Sequence, residues 1–140
     1  EERFARRIAQ RIARERKVRA ISSTKQLADI IAQAVPAAAR YGRIHPATRT
    51  FQALRMIVND ELGALESVLE ALPGILAPGA RAAIVTFHSL EDRMVKQAFR
   101  RGADEGLWRL LSKKVVKPSD EECLQNNRAR SAKLRGVERC

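Results

Sequence analysis

The chain has 140 residues, with 27 lysines and arginines against 16 aspartates and glutamates, a formal net charge of +11 and a pI near 10.8. That length bounds it to one modest domain or part of one, and the cationic excess points to a polyanionic partner, nucleic acid by default; a basic protein without such a partner is the plain alternative. Two separated cysteines, Cys123 and Cys140, form neither a disulfide framework nor a zinc spacing, so no metal site is expected, and no apolar run approaches the ~20 residues of a membrane span.

Residues 2–17 read as a helix, with Phe4, Ile8 and Ile12 at i, i+4, i+8 and Arg3, Arg6, Arg7, Arg11 and Arg14 on the other faces. A solvated amphipathic helix and a phosphate-facing one both fit, the second because arginine is used almost to the exclusion of lysine. Ser23-Thr24-Lys25-Gln26 reads as a capping box, and Leu27, Ile30, Ile31, Ala34 and Val35 give the apolar stripe of a second helix that Pro36 ends. Residues 40–47 read as a loop. A third helix is expected from Ala47 to Leu72, with Pro46 suited to its first turn, Gly63 as its weak point and Pro73-Gly74 at its exit.

A strand at 81–87 then stops at ionisable groups, and a fourth helix runs from Ser89 to about Arg101. Gly102 to Gly106 is a turn, Leu107 to Val116 is read as a strand, Pro118 to Glu122 as a short helix start, and Ala132 to Val137 as a last strand. In an open α/β sheet, ligands sit just beyond the carboxyl end of a strand. That places interest on Phe87-His88-Ser89-Leu90-Glu91-Asp92-Arg93. Two readings of this turn stand: His88, Ser89 and Asp92 as catalytic groups, or Ser89 and Asp92 as a capping box.

Several segments carry a family resemblance. They are Glu2-Arg3-Phe4-Ala5 with Arg7-Ile8-Ala9, Thr24 to Ala28, His45 to Arg55 (HPATRTFQALR), Val58 to Leu62, Leu76 to Gly79, Phe87 to Arg93 and Asn126 to Leu134. Over almost its whole length the chain resembles the ribosomal RNA small-subunit methyltransferase H (MraW) family. The sequence departs from the family pattern at Ala80, where a second glycine is usual, at Asn127, where proline is usual, and in a short connection from Gly102 to Trp108.

The resemblance implies an S-adenosylmethionine-dependent enzyme that methylates the exocyclic N4 of a cytidine in small-subunit ribosomal RNA. The fold class it implies is an α/β fragment: a helical insertion followed by the last strands and helices of a Rossmann-like class I methyltransferase sheet. Residues 1–45 are expected to be part of the helical substrate-recognition insertion, and 46–140 the C-terminal part of the methyltransferase domain. The glycine-rich turn that holds the donor in the family has no counterpart here. Hence no cofactor-binding residue is expected in this chain, and it is expected to be inactive alone.

Cytosine N4 is a poor nucleophile, so the base must be flipped out and its amine aligned with the donor methyl. His88, Ser89 and Asp92 are the expected catalytic set, and His45, Arg49, Arg55, Arg128, Arg130 and Lys133 the expected RNA contacts. Alternation of Arg128 and Arg130 along an extended segment would put both on one side; a basic guard on an edge strand is the other reading. The expected partner is small-subunit ribosomal RNA or the small subunit itself, with no membrane and with self-association through an exposed sheet edge. The expected setting is the cytoplasm, an organelle matrix being the alternative. A non-catalytic RNA-binding module derived from the family is the competing function.

Overall fold

A computed structural model of the chain describes residues 2–42 and 44–140. Its contacts divide it into two compact units, Glu1–Glu61 and Leu62–Cys140. The division falls beyond the 45/46 boundary expected above, because Ala47 and Phe51 join the apolar cluster of the preceding helices.

The first unit is helical: α1 (Ala5–Val18), α2 (Thr24–Ala34), the single turn α3 (Ala37–Arg40) and α4 (Thr48–Val58). Ser23 Oγ accepts from Gln26 N at 3.1 Å, and Gln26 Oε1 reaches back to Ser22 N at 3.0 Å, so both members of the sequence-read cap act at the start of α2. Val35, ahead of Pro36, is extended at ψ 154°, which stops the helix. Ile8, Ile31, Ala34, Val35 and Ala47 form the core, with Phe4, Ile12, Leu27 and Phe51 packed against it.

The single long helix expected from Ala47 to Leu72 is two helices. α4 stops at Val58, Asp60 takes φ 48°, and α5 runs Glu61–Ile75. Apolar periodicity continues through a break of this kind, so it cannot reveal one. Aspartate and asparagine are the non-glycine residues that best tolerate the left-handed region. Gly63 lies inside α5, and Pro73 sits in its last turn rather than ending it.

The second unit contains α5, β1 (Arg81–Thr86), α6 (Ser89–Asp104), β2 (Trp108–Leu110), α7 (Asp120–Gln125), a 3-10 turn (Asn127–Ser131) and β3 (Lys133–Arg139). The sheet order is β1-β3-β2, and β3 is antiparallel to both neighbours. β1 and β2 therefore point the same way, joined through α6 with β3 inserted between them, a split β–α–β unit. The ten-residue strand read at 107–116 shrinks to Trp108–Leu110. After it the chain loops out, Ser112 Oγ donating to Lys114 O at 2.7 Å, and returns only as an isolated bridge of Val116 to Leu134.

Glu138, directly opposite both Arg81 and Arg109, accepts from them at 2.7 and 2.8 Å, so one carboxylate ties the three strands together. The departure at Ala80 is harmless here. Gly79 supplies the positive φ of 77° that the turn needs, whereas Ala80 is not among the positive-φ positions and its carbonyl accepts from Arg139 N at 2.8 Å. Asn127 is likewise tolerated: it opens the 3-10 turn, where proline's fixed φ suits but is not required.

Leu69, Leu72, Val95, Phe99, Trp108 and Val137 make the core of this unit. Trp108 Nε1 donates to Phe99 O at 2.9 Å, and the two rings meet edge to face, 6.0 Å between centroids. Gly102 gives the indole its room, since a Cβ built there would overlap the Trp108 ring. Gly102→Ala is expected to destabilise the unit by about 1–3 kcal/mol, the range for overpacking a close-packed core. A lowered urea midpoint at unchanged slope would show it, and an unchanged midpoint would contradict it.

Candidate functional site

The strand-to-helix turn after β1 is built locally. Thr86, 3% exposed, donates its hydroxyl to Lys133 O at 3.3 Å and fixes the end of β1 against β3. His88 is the N-cap of α6, with φ −138° and ψ 168°. Its Nδ1 accepts from Glu91 N at 3.3 Å, while Glu91 Oε2 accepts from Phe87 N at 2.9 Å and from His88 N at 3.3 Å. The capping box is therefore His88–Glu91, one residue earlier than the Ser89–Asp92 reading.

Because Nδ1 is an acceptor, the neutral ring carries its hydrogen on Nε2. The side chain is only 9% exposed, and Nε2 lies 3.2 Å from Glu91 Oε1, off the line of an N–H···O bond; it has no hydrogen-bond partner among the described residues. A buried donor left unsatisfied is costly. This is the one such side-chain atom among the described residues.

Asp92 faces β3. Arg135 Nε and Nη2 donate to its two oxygens at 2.7 and 3.3 Å, and Lys133 Nζ lies 3.5 Å away. The hydrogen bonds from Arg135 hold the Asp92 carboxyl below its ordinary range, against the opposing effect of burial. Ser89 is the first, half-buried residue of α6. The turn thus brings His88, Ser89 and Asp92 together, but Asp92 is committed to an internal ion pair. Arg135, which the sequence groups with the basic residues Arg128, Arg130 and Lys133 rather than with this turn, stands 43 residues from Asp92, a separation at which no local pattern signals a pair. Glu91 had a signal, its i+3 spacing from His88.

The sequence-expected RNA contacts fall in two groups. His45 Nδ1 accepts from Ala47 N at 3.2 Å, Arg49 Nη1 lies 3.8 Å from Glu2 Oε2, Arg55 is bidentate to Glu61 at 2.7 and 3.1 Å, and Lys133 sits on Asp92. Arg128 and Arg130 are exposed and carry no ion pair among the described residues. They lie on the 3-10 turn rather than an extended segment. At three residues per turn, positions i and i+2 point about 120° apart, so the two do not share a side. Trp108 is a core residue, and Cys123 and Cys140 are free thiols.

Architecture and site together define a mixed α/β segment in which the one buried side-chain polar atom without a hydrogen bond, among the described residues, lies at the carboxyl end of a strand, where α/β proteins place their chemistry. The model of the MraW methylase family matches residues 1–140, and the chain belongs to that family. It is 57% identical over 135 residues to the ribosomal RNA small subunit methyltransferase H of Synechococcus sp. (strain JA-2-3B'a(2-13)), which covers 96% of this chain and 40% of that protein. Proteins of the same name from Anaeromyxobacter sp. (strain K) and Nostoc sp. (strain PCC 7120 / SAG 25.82 / UTEX 2576) are 50% and 52% identical, each over 99% of this chain. The chain spans 50% and 44% of those two proteins, less than two thirds of any of the three.

Proposed function

We propose that these residues form the C-terminal part of an S-adenosylmethionine-dependent methyltransferase acting on N4 of a cytidine in small-subunit ribosomal RNA. The observation that carries this reading is the 57% identity over 96% of the chain to a protein named for that RNA. Residues 1–61 act as part of the helical substrate-recognition insertion, and 62–140 supply the last strands of a Rossmann-like sheet that continues from the open edge of β1. In the bacterial cytoplasm the partner is the small ribosomal subunit.

Among the described residues, the turn after β1 does not fit the methyl donor. The carboxylates of Glu91 and Asp92, the groups a ribose would need, are already taken by the cap and by Arg135, and no glycine-rich turn is present in the sequence. The donor is assigned to residues outside this chain, and no step is routed through it. This chain's part is to hold the base. His88 Nε2–H donates to an acceptor on the Watson–Crick edge of the flipped cytosine and orients the ring. Ser89 borders that position, and Asp92, through Arg135, fixes the turn. In the second unit Arg128 and Arg130 take phosphates directly and Lys133 borders them from its pair with Asp92; in the first unit His45, Arg49 and Arg55 are the RNA contacts, each also held internally.

The full-length protein, given small subunits and methyl-labelled S-adenosylmethionine, is expected to place label in the small-subunit RNA. No incorporation would overturn the assignment and leave a non-catalytic RNA-binding module as the better reading.

A further inference from the structure

The outward face of α1 carries an unbalanced set of charges. Phe4, Ile8 and Ile12 face the core of the first unit. Arg6, Arg7, Arg14 and Lys17 are exposed, with no ion-pair partner among the described residues. At about 100° per residue, Arg7 and Arg14 stand within about 20° of each other, as do Arg6 and Lys17, and all four fall in an arc of about 100°. They extend over about 16 Å of helix. The one acid within α1, Glu15, lies outside that arc and is paired to Arg11 at 2.9 Å.

This arrangement works against the helix itself. A face that is merely solvated usually mixes signs, because opposite charges at i, i+4 stabilise and like charges destabilise. Here Arg7–Arg11 and Arg14–Lys17 are like-charged neighbours at i+4 and i+3. Arg6 and Arg7 also sit near the N-terminus of α1, whose first turn holds no acid, where the helix dipole disfavours cations. Lys17, in the last turn, is favoured by the same dipole, so the cost falls on Arg6 and Arg7 and on the like-charged neighbours; local choices that cost stability on one exposed face mark a functional surface. Arginine adds bidentate donors that match phosphate. At the same end of the helix, Arg3, Phe4, His45 and Arg49 line a recess of about 360 Å³ together with Glu2, which lies 3.8 Å from Arg49.

We propose that the Arg6, Arg7, Arg14 and Lys17 face of α1 is a binding surface for the RNA backbone, tracking consecutive phosphates of the ribosomal RNA substrate. This rests on the RNA-methyltransferase reading above, in which α1 belongs to the substrate-recognition insertion, and names the face of α1 that meets the RNA and the part of the RNA it meets.

The test uses full-length protein and purified small-subunit ribosomal RNA titrated at several potassium chloride concentrations. Arg7→Glu with Arg14→Glu is expected to weaken binding roughly tenfold or more and to flatten the dependence of log affinity on log salt by about two. Helix content and S-adenosylmethionine affinity are expected to stay unchanged. Arg7→Lys with Arg14→Lys should keep most of the salt slope, since it keeps the charges. If the charge reversal disturbs folding, Arg6→Gln with Lys17→Gln provides the same reading by neutralisation. Wild-type affinity and slope in the folded variants would overturn this surface while leaving the methyltransferase reading intact. A wild-type protein that neither binds nor methylates the RNA would overturn both.

Discussion

Replacing His88 by serine in the full-length enzyme is expected to lower methyl transfer by roughly 100-fold or more while leaving stability and donor affinity near wild type. One ring does two separate jobs. Nδ1 caps α6 by accepting from Glu91 N, while Nε2–H is buried without a partner. Serine is among the best N-cap residues, so it keeps the first job; alanine loses it, at about 1 kcal/mol. Neither can supply a donor where Nε2 stands, and loss of one preorganised donor in a site typically costs about 10²–10³ in turnover. His88→Ala should therefore be both less stable and inactive, and His88→Ser stable and inactive. Full turnover by the serine variant would reduce His88 to a helix cap and remove it from the site.

Arg135→Ala is expected to cost about 3 kcal/mol in stability, a large share of the roughly 5–15 kcal/mol that folds a domain. The Asp92 and Arg135 side chains are 15% and 16% exposed. Removal of the guanidinium leaves a largely buried carboxylate with only Lys133 at 3.5 Å. The pair also sets a pH dependence. Asp92 is held below its ordinary value in the folded chain, first by the Arg135 hydrogen bonds. Its stabilising contribution is fully present above the unfolded value of about 3.9 and is lost as pH falls through the lower folded value. Glu138, lowered by Arg109 and then Arg81, acts in the same direction. Stability measured by urea midpoints should fall below about pH 4 in the wild type, and less steeply in Asp92→Asn, with Glu138 supplying the remainder. Equal acid slopes in the two proteins would contradict the role given to Asp92. The functional consequence is positional: this pair holds the first turn of α6, and with it His88, against β3.

Much of the first unit was legible, because its signals are local. Ser23 and Gln26 announce the start of α2, Pro36 its end, and the Phe4, Ile8, Ile12 period the buried face of α1. β1 and the start of α6 were legible for the same reason. The break at Asn59-Asp60 was not, because hydropathy carries no record of a single left-handed residue. The short β2 and the inserted β3 depend on pairings such as Arg81 with Glu138, 57 residues apart, which no window of sequence contains. At the site, His88 was read as a candidate, but its capping partner was missed because histidine is outside the usual N-cap set. The partners of the basic residues are equally invisible to a local window. Of the basic residues expected at the RNA, Arg55 and Lys133 are paired to Glu61 and Asp92, whereas Arg128 and Arg130, like Arg6, Arg7, Arg14 and Lys17 of α1, carry no ion pair among the described residues.

The proposed activity is methylation of N4 of a cytidine in small-subunit ribosomal RNA. Nucleoside mass spectrometry tests it most directly: small-subunit RNA is taken from a bacterium lacking its own such enzyme, with and without the full-length protein expressed, and digested. N4-methylcytidine is expected only in the RNA from cells expressing the protein, and its loss is expected with His88→Ser. An unchanged nucleoside profile, or methylation appearing instead on another atom or base, would contradict it.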